Sequence, residues 1–385
     1  MQLAALYFCF YAAAALLVTF WPHYMTSLGL GPADIGLVFG GGTVIGIVAQ
    51  PLLTGLSDRL GRPSRMLQSV AIFSLAFLLG VPFVTGFVGL AVLMWLSAVP
   101  RSAIVPLLDA ATVRRVGPTR YGVIRVWGSV GYGGMTAVFG LLARDVSYET
   151  AGLYSVPLFL VFAGLMAVLT LFLPRDKPAT VRPSWRALIA VAGSPGLLVF
   201  MAVQSLHWAG MMYFNVYLSL HTRSLGHSIA VPSLAVLVSI AAEVLALFVV
   251  RPYVAGRSGR WMLVAVMGAS ALRWVGMAIV TDPTTLIALQ VLHFFSFGAW
   301  YAASIAQLGR FAPAERRGAV QGLFAAVVFG VGGGLGSWVG GEVVEAWDTQ
   351  TGFYVVAVLD VVAMVACAVL AATKTDDGAP VTARD

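Results

Sequence analysis

Seven ionisable side chains interrupt long apolar stretches of this sequence. They are Arg101, Asp109, Arg125, Glu243, Arg273, His293 and Asp360. A carboxylate, a guanidinium and an imidazole that are buried together can neutralise one another or share a proton, and each is costly in an apolar medium without a partner. Arg273 stands in the run GASALRWVGMAIV, where every neighbour is apolar or small. These residues predict a buried site for charge compensation or proton transfer.

The composition around these residues indicates that the solvent is lipid. Hydrophobic residues make up 59% of the 385 positions and charged residues 10%, and the mean hydropathy is +0.91. An ordinary soluble domain has about 25% charged residues. Because a water-soluble globule could not bury this much apolar surface, we expect an integral membrane protein whose natural partner is the bilayer.

Twelve apolar runs are long enough to cross a bilayer as helices. They lie near 3–28, 34–57, 66–86, 88–112, 121–143, 151–173, 194–220, 231–251, 260–280, 284–308, 317–341 and 351–372. Lipid offers no hydrogen bonds to the backbone, so runs of this length must be helical, and no strand-like alternation is present. The predicted fold is an all-α membrane protein of twelve transmembrane helices.

The basic residues predict the orientation of these helices. With the N-terminus in the cytoplasm, eighteen of the 23 Lys and Arg residues fall on the inside, and Arg144 and Arg223 fall outside. The positive-inside rule therefore predicts cytoplasmic N- and C-termini and a place in the cell membrane. The net charge of +7 is explained by this distribution, and we expect no nucleic-acid partner.

The chain is predicted to consist of two pseudo-symmetric six-helix bundles. The charged, proline-containing segment RDKPATVRPSWR has six runs on either side, and SDRLGRPSR after the second run returns as AGRSGRW after the eighth. RYGVIR and RRGAVQ repeat at nearly the same offset, which indicates an internal duplication. We predict an N-terminal bundle at 1–174, a cytoplasmic linker at 175–193, a C-terminal bundle at 194–373 and a cytoplasmic tail at 374–385.

The loop GLSDRLGR after the second run resembles the signature loop of the major facilitator superfamily. In that family an acidic residue and a glycine-flanked basic cluster hold the ends of neighbouring helices together, which implies a gating role for Asp58, Arg59, Gly61 and Arg62. The family's leading glycine is replaced here by Thr54. A plain positive-inside turn would explain the arginines, but not Asp58.

Three ionisable residues of the second half are predicted to lie at similar depth. At 1.5 Å per residue, Glu243, Arg273 and His293 lie about 12, 20 and 22 Å above the cytoplasmic helix ends. Arg273 could pair with Glu243 or Asp360 merely to hold the bundle together. Because a buried ion pair is a costly way to gain stability, a switching role is favoured.

The same residues resemble the oligosaccharide:proton symporter branch of the superfamily. The pieces AEV, LRW and QVLHFFS match helices eight to ten of that branch, which implies that Glu243, Arg273 and His293 link solute binding to the proton. The lactose permeases have a glutamate three residues beyond the histidine, where this chain has Ser296. Either the proton site is Glu243, His293 or Asp360, with Glu243 the best candidate, or coupling is absent and the protein is a uniporter.

The fifth run carries a candidate solute site. YGVIRVWGSVGY resembles the fifth-helix motif of the same branch, and with LRW it is most similar to the group that contains the phenylpropionate transporters. This implies that Asp109, Arg125 and Tyr132 contact the solute, with glycines on the same helix face. The alternative is a tight helix contact in which Arg125 extends to the interface.

The seventh run, QSLHWAGMMYFNVYL, combines aromatic rings with a few hydrogen-bonding groups. Such a surface suits a solute with an apolar body and polar ends. We therefore include His207, Trp208, Tyr213 and Asn215 among the candidate solute contacts, although each could equally be a packing residue.

These observations predict a secondary active transporter that moves a small organic solute (an aromatic acid, sugar or nucleoside) by alternating access, with proton symport. The alternatives are a proton-coupled exporter and an uncoupled uniporter. A membrane enzyme or receptor is disfavoured, because no HExxH or Gly-x-Ser-x-Gly pattern and no signalling domain is present. We expect no metal, no cofactor and a monomer.

Overall fold

The computed structural model of the protein describes residues 1–174, 195–254, 256–311 and 317–372. The predicted linker at 175–193 and tail at 374–385 lie outside these residues. Within the described ranges every regular element is helical. The all-α prediction is therefore confirmed.

The described residues form twelve helical regions in chain order, and each corresponds to one predicted apolar run. They are α1 (Gln2–Thr19, continued by Trp21–Ser27), α2 (Pro32–Leu60), α3 (Pro63–Leu78), α4 (Phe87–Ser102 and Ile104–Val116), α5 (Pro118–Leu142), α6 (Tyr148–Leu171), α7 (Pro195–Ser224), α8 (Ala230–Val249), α9 (Gly256–Ile279), α10 (Pro283–Leu308), α11 (Arg317–Phe324, Ala325–Gly332 and Gly333–Ala346) and α12 (Thr349–Ala372). Ten of these regions are long and apolar enough to cross a membrane, and α8 contains a shorter apolar helix, Ala230–Ala246. The region α5 is not among these ten, because Arg120, Arg125 and several glycines lower its mean hydropathy.

Local sequence signals begin and end these helices. Proline stands in the first turn of α2, α3, α5 and α10, where its missing N–H costs nothing. The Ser147 hydroxyl accepts from the Thr150 amide at 3.2 Å at the start of α6. At the start of α10, Asp282 accepts from the Thr285 amide at 2.7 Å. The last turn of α2 ends at Gly61, whose φ of 61° lies in the left-handed region that glycine adopts without strain.

Two helices depart from α-helical geometry in their middles. In α10, a 3-10 turn at Leu289–Leu292 is followed by a π-helical segment at Phe294–Ala299. In α11, the π-helical segment is Ala325–Gly332. Such segments change the direction of side chains along a helix and occur often at functional sites.

The described chain divides into two compact units by packing. The first unit contains the described residues of Met1–Pro183, Asn215–Leu237 and Ser337–Trp347, and the second contains those of Ser184–Phe214, Val238–Gly336 and Asp348–Asp385. The units are therefore not a simple division at the middle of the chain, because parts of α7, α8 and α11 pack with α1 to α6. The boundaries of the two predicted bundles stay a prediction.

Polar contacts hold these later segments within the first unit. The Ala33 amide at the start of α2 donates to Glu345 Oε2 of α11 at 2.9 Å. Arg223 of α7 forms an ion pair with Glu149 of α6. Tyr217 of α7 donates its hydroxyl to the Ser337 carbonyl of α11 at 2.7 Å. The ends of α2, α6, α7 and α11 are thus joined at one side of this unit.

The contact between α1 and α5 gives a test of close helix packing. A methyl group added at Gly131 would lie 2.5 Å from the Phe8 carbonyl oxygen, whereas one at Gly134 would meet nothing within 4 Å. Because the obstacle at Gly131 is backbone, Gly131→Ala is expected to lower the free energy of unfolding by about 1–3 kcal/mol, and Gly134→Ala to leave it unchanged or slightly raised. Thermal unfolding of the purified variants in detergent measures the difference. Equal midpoints for the two variants would contradict the α1–α5 contact.

Candidate functional site

A cluster around Arg125 lies in the first unit. Its guanidinium Nε is 3.9 Å from Asp109 Oδ1, and one of its Nη atoms donates to the Tyr11 hydroxyl. The Tyr7 hydroxyl donates to the same Asp109 oxygen at 2.5 Å. We call Tyr7, Tyr11, Asp109 and Arg125 the arginine–tyrosine cluster.

Helix geometry explains how these four residues meet. Tyr7 and Tyr11 are four residues apart on α1, so their rings share a face, and the Arg125 guanidinium lies 5.4 Å from the first ring centroid and 4.4 Å from the second. Gly131 allows α5 to approach the backbone of α1. Asp109 reaches the cluster from α4. The predicted pairing of Asp109 with Arg125 is present in the structure.

Arg125 and Asp109 of the arginine–tyrosine cluster are partly exposed, whereas Tyr7 is buried. The side chains of Arg125 and Asp109 keep 30% and 32% of their surface exposed. A guanidinium that packs against aromatic rings but is only partly buried can form hydrogen bonds with a carboxylate or with hydroxyl groups while a ring stacks beside it. Tyr132 is half-buried on α5, seven residues beyond Arg125, and its role stays a prediction.

A second cluster surrounds Arg273, which is fully buried in the second unit. Its Nε and one Nη donate to Gln290 Oε1 at 3.1 and 2.5 Å. The other Nη donates to His293 Nδ1 at 3.0 Å and to the Ser296 hydroxyl at 2.9 Å. The guanidinium also lies 4.2 Å from the ring centroid of Phe214. We call Arg273, Gln290, His293 and Ser296 the buried arginine cluster.

Glu243 joins this cluster through His293. Its Oε2 atom lies 3.9 Å from His293 Nε2, and its side chain is 19% exposed against 7% for the imidazole. Arg273 always carries its protons, so His293 Nδ1 accepts and the neutral ring has its own proton on Nε2, towards Glu243. Among the described residues, Arg273 bonds to neutral groups and reaches Glu243 only through His293. The direct pair with Glu243 or Asp360 considered above is not formed.

Asp360 of α12 is bonded elsewhere in the second unit. Its Oδ1 atom lies 2.8 Å from His207 Nδ1, and its Oδ2 accepts from the Trp274 indole at 2.6 Å. The other imidazole nitrogen of His207 donates to the Ser296 carbonyl at 2.7 Å. His207 therefore belongs with a buried carboxylate, although the sequence suggested a solute contact.

The other candidate solute residues of α7 lie in packed surroundings. Trp208 stacks on Trp300 with ring centroids 5.3 Å apart. Tyr213 is buried and donates its hydroxyl to the Thr349 carbonyl at 2.7 Å. Asn215 is half-buried in the first unit. These positions favour a packing role for Trp208 and Tyr213.

The predicted gating loop forms the end of α2. Asp58, Arg59 and Arg62 are exposed, and the Asp58 carbonyl accepts from the Gly61 amide at 3.3 Å. Arg114 of α4 lies close enough to interact electrostatically with Asp58. This arrangement is compatible with a latch between α2 and α4, and the gating role stays a prediction.

Sequence reasoning missed several residues of these clusters. Tyr7 and Tyr11 stand four apart in LYFCFY, a spacing that places two hydroxyls on one helix face. Gln290 stands three residues before His293, so the two could share a face of a regular helix. Trp274 follows Arg273 directly, and nothing in the sequence indicates that its indole binds a carboxylate from α12.

Comparisons with known proteins agree with this architecture. A model of the MFS_1 like family matches residues 1–355. The chain is 27% identical over 358 residues to the "Probable 3-phenylpropionic acid transporter" of Escherichia coli (strain K12), covering 85% of this chain and 86% of that protein. It is 29% identical over 383 residues to the "Maltose permease" of Geobacillus stearothermophilus, covering 96% and 93%. The crystal structure of the nucleoside transporter NupG superposes with a TM-score of 0.83 at 19% identity, covering 97% and 99% of the two chains.

Proposed function

Because this chain belongs to the MFS_1 like family and is a multi-pass membrane transporter of small solutes, we propose that it imports an organic solute together with a proton. The proposal includes alternating access in the cell membrane, with both termini in the cytoplasm. The observation that carries it is the chain of contacts from partly exposed Glu243 through His293 to fully buried Arg273. A partly exposed carboxylate that lies beside a neutral imidazole, itself hydrogen-bonded to a buried cation, can change its proton occupancy as the guanidinium moves.

The arginine–tyrosine cluster supports an aromatic carboxylate as the solute. Arg125 offers charged N–H donors to a carboxylate, and the partly buried ring of Tyr11 offers an apolar face to a phenyl group. The name of one relative, a phenylpropionic acid transporter, describes a molecule with these two parts. We therefore place aromatic acids first, ahead of the sugars and nucleosides that the names of the other relatives suggest.

Uptake into proteoliposomes tests the proposal. The panel contains 3-phenylpropionate, maltose and uridine, each measured with and without an imposed pH gradient. For one proton per anionic solute we expect about tenfold accumulation for each imposed pH unit, with 3-phenylpropionate as the best substrate. If the uptake of every accepted solute were the same with and without the pH gradient, symport would be excluded and the protein would be a facilitator of diffusion.

A further inference from the structure

His207 and Asp360 form a fully enclosed pair between α7 and α12. Both side chains are 0% exposed, and the atoms that face each other, Nδ1 and Oδ1, are 2.8 Å apart. Every other polar atom of the pair is also occupied. His207 Nε2 lies 2.7 Å from the Ser296 carbonyl, and Asp360 Oδ2 lies 2.6 Å from the Trp274 indole nitrogen.

The hydrogen-bond partners fix the number of protons in this pair. A backbone carbonyl only accepts, so His207 Nε2 must carry a hydrogen and donate it to Ser296. An indole N–H only donates, so Asp360 Oδ2 accepts from Trp274. If Nδ1 were then a lone pair and Asp360 a bare carboxylate, two acceptors would face each other at hydrogen-bond distance with nothing between them. One further proton must lie between Nδ1 and Oδ1, on one atom or the other.

We propose that the His207–Asp360 pair is a proton-binding site that holds one proton in this conformation and carries the proton that moves with the solute. This inference rests on the proposed symport. On release, the proton passes from the Nδ1–Oδ1 position to the ionised Glu243 carboxylate and from there to water, and the pair becomes a carboxylate that faces a neutral imidazole lone pair. These two acceptors repel each other, so proton loss opens the contact between α7 and α12.

Ser296 connects this pair to the buried arginine cluster. Its carbonyl accepts from His207, while its hydroxyl accepts from Arg273 at 2.9 Å. Ser296 lies in the π-helical segment Phe294–Ala299 of α10. His207 and Arg273 therefore both form hydrogen bonds with the same irregular part of this helix. A change in the protonation of the pair therefore alters the position of Ser296 and its hydrogen bond to Arg273. Movement of Arg273 alters the hydrogen bond between Ser296 and His207 in the same way.

Charged and titratable groups on α8, α9, α10 and α12 act on the pair. Arg273 of α9 interacts electrostatically with Asp360, as does Cys367 within α12, and His293 of α10 interacts with His207. Glu243 of α8 acts one step further away, through His293. With one proton on the pair and Glu243 ionised, the positive charge of Arg273 is balanced. Loss of the proton leaves a net negative charge in a dry interior, which favours reloading.

The substitution Asp360→Asn preserves the hydrogen-bond geometry of the protonated pair but removes the exchangeable proton. The asparagine oxygen can accept from Trp274, and its amide can donate to His207 Nδ1, so every hydrogen bond has a counterpart of the same size. The variant is expected to fold, with a thermal midpoint close to the wild type. Glu342→Gln is the matched control, because it removes an exposed carboxylate of α11.

The proton itself is observed by nitrogen NMR of the protein in lipid nanodiscs. The sequence has five histidines, which are labelled with nitrogen-15 in protein purified with a histidine-free tag, and His207→Gln assigns the signal. We expect His207 Nδ1 to show a bound or shared proton. In Asp360→Asn the same nitrogen should be an unprotonated acceptor under the same conditions. A wild-type Nδ1 signal identical to that of Asp360→Asn would overturn the proton site.

Transport measurements test whether this proton moves with the solute. In proteoliposomes with 3-phenylpropionate, we expect Asp360→Asn to reduce gradient-driven accumulation at least about tenfold more than it reduces counterflow, and Glu342→Gln to change neither. Coupled accumulation that survives in Asp360→Asn would overturn the transport role of the pair. If wild-type uptake of every probe ignores the gradient, the proposed symport fails, and the NMR result still decides whether the pair binds a proton.

Discussion

Replacing Glu243 with glutamine is expected to abolish gradient-driven accumulation of 3-phenylpropionate while exchange of the solute across the membrane continues. Glutamine has the size of a protonated glutamate but can neither release nor take up the proton. Among Glu243, His293 and Arg273, the Glu243 side chain is the most exposed, with 19% of its surface accessible. Without this exchange the imposed gradient has no route to the solute. The ratio of internal to external solute concentration should fall from about tenfold for each pH unit to about one.

The measurement compares net uptake with counterflow in the same proteoliposomes. Counterflow requires solute binding and the return of the loaded carrier, but no net release of a proton. Glu342→Gln again serves as the control for loss of a carboxylate. Wild-type accumulation in Glu243→Gln would mean that Glu243 is structural and that the proton does not pass through it.

Replacing Arg125 with glutamine is expected to weaken solute binding strongly. A hydrogen bond to a charged group contributes about 1.5–3 kcal/mol, so loss of the guanidinium should lower the affinity for 3-phenylpropionate roughly 10- to 150-fold. Arg125→Lys keeps the charge but loses the planar, forked donor and much of the stacking on Tyr7 and Tyr11, so an intermediate affinity is expected.

Calorimetric titration of detergent-purified protein measures this affinity without any gradient. Arg120→Gln is the matched control, because Arg120 is exposed on the same helix. This substitution also removes one positive charge. Equal weakening by Arg120→Gln and Arg125→Gln would reduce the effect to general electrostatics. Unchanged affinity in Arg125→Gln would exclude the arginine–tyrosine cluster from the solute site.

The fold could be predicted from the sequence because lipid permits few alternatives. Apolar runs of about 20 residues must be helical in a bilayer, and twelve of them gave the element order directly. The internal irregularities were not predictable in this way. The π-helical segments of α10 and α11 lie in apolar sequence like that of regular helices, and they depend on packing with neighbouring helices.

The candidate site was predictable in its residue types but less so in its pairings. Depth along each helix correctly suggested that Arg273 and His293 could meet, and the pattern around Arg125 suggested Asp109 as its partner. Depth says little about rotation about the helix axis, so the connection of Arg273 to Glu243 through His293 was not foreseen. His207 was assigned to the solute because the sequence did not indicate its partner. Asp360 lies 153 positions away in the chain, and helix rotation decides whether the two side chains face each other.

The hydrogen bond between the Ala33 amide and Glu345 has a consequence for the biosynthesis of this protein. The two residues are 312 positions apart, and a ribosome adds about 5–20 residues per second. The first turn of α2 therefore exists for roughly 16 to 60 s before the carboxylate that binds it has been synthesised. During that time water must satisfy the Ala33 amide. The side of the first unit on which α2 meets α11 can be completed only when nearly the whole chain has been translated.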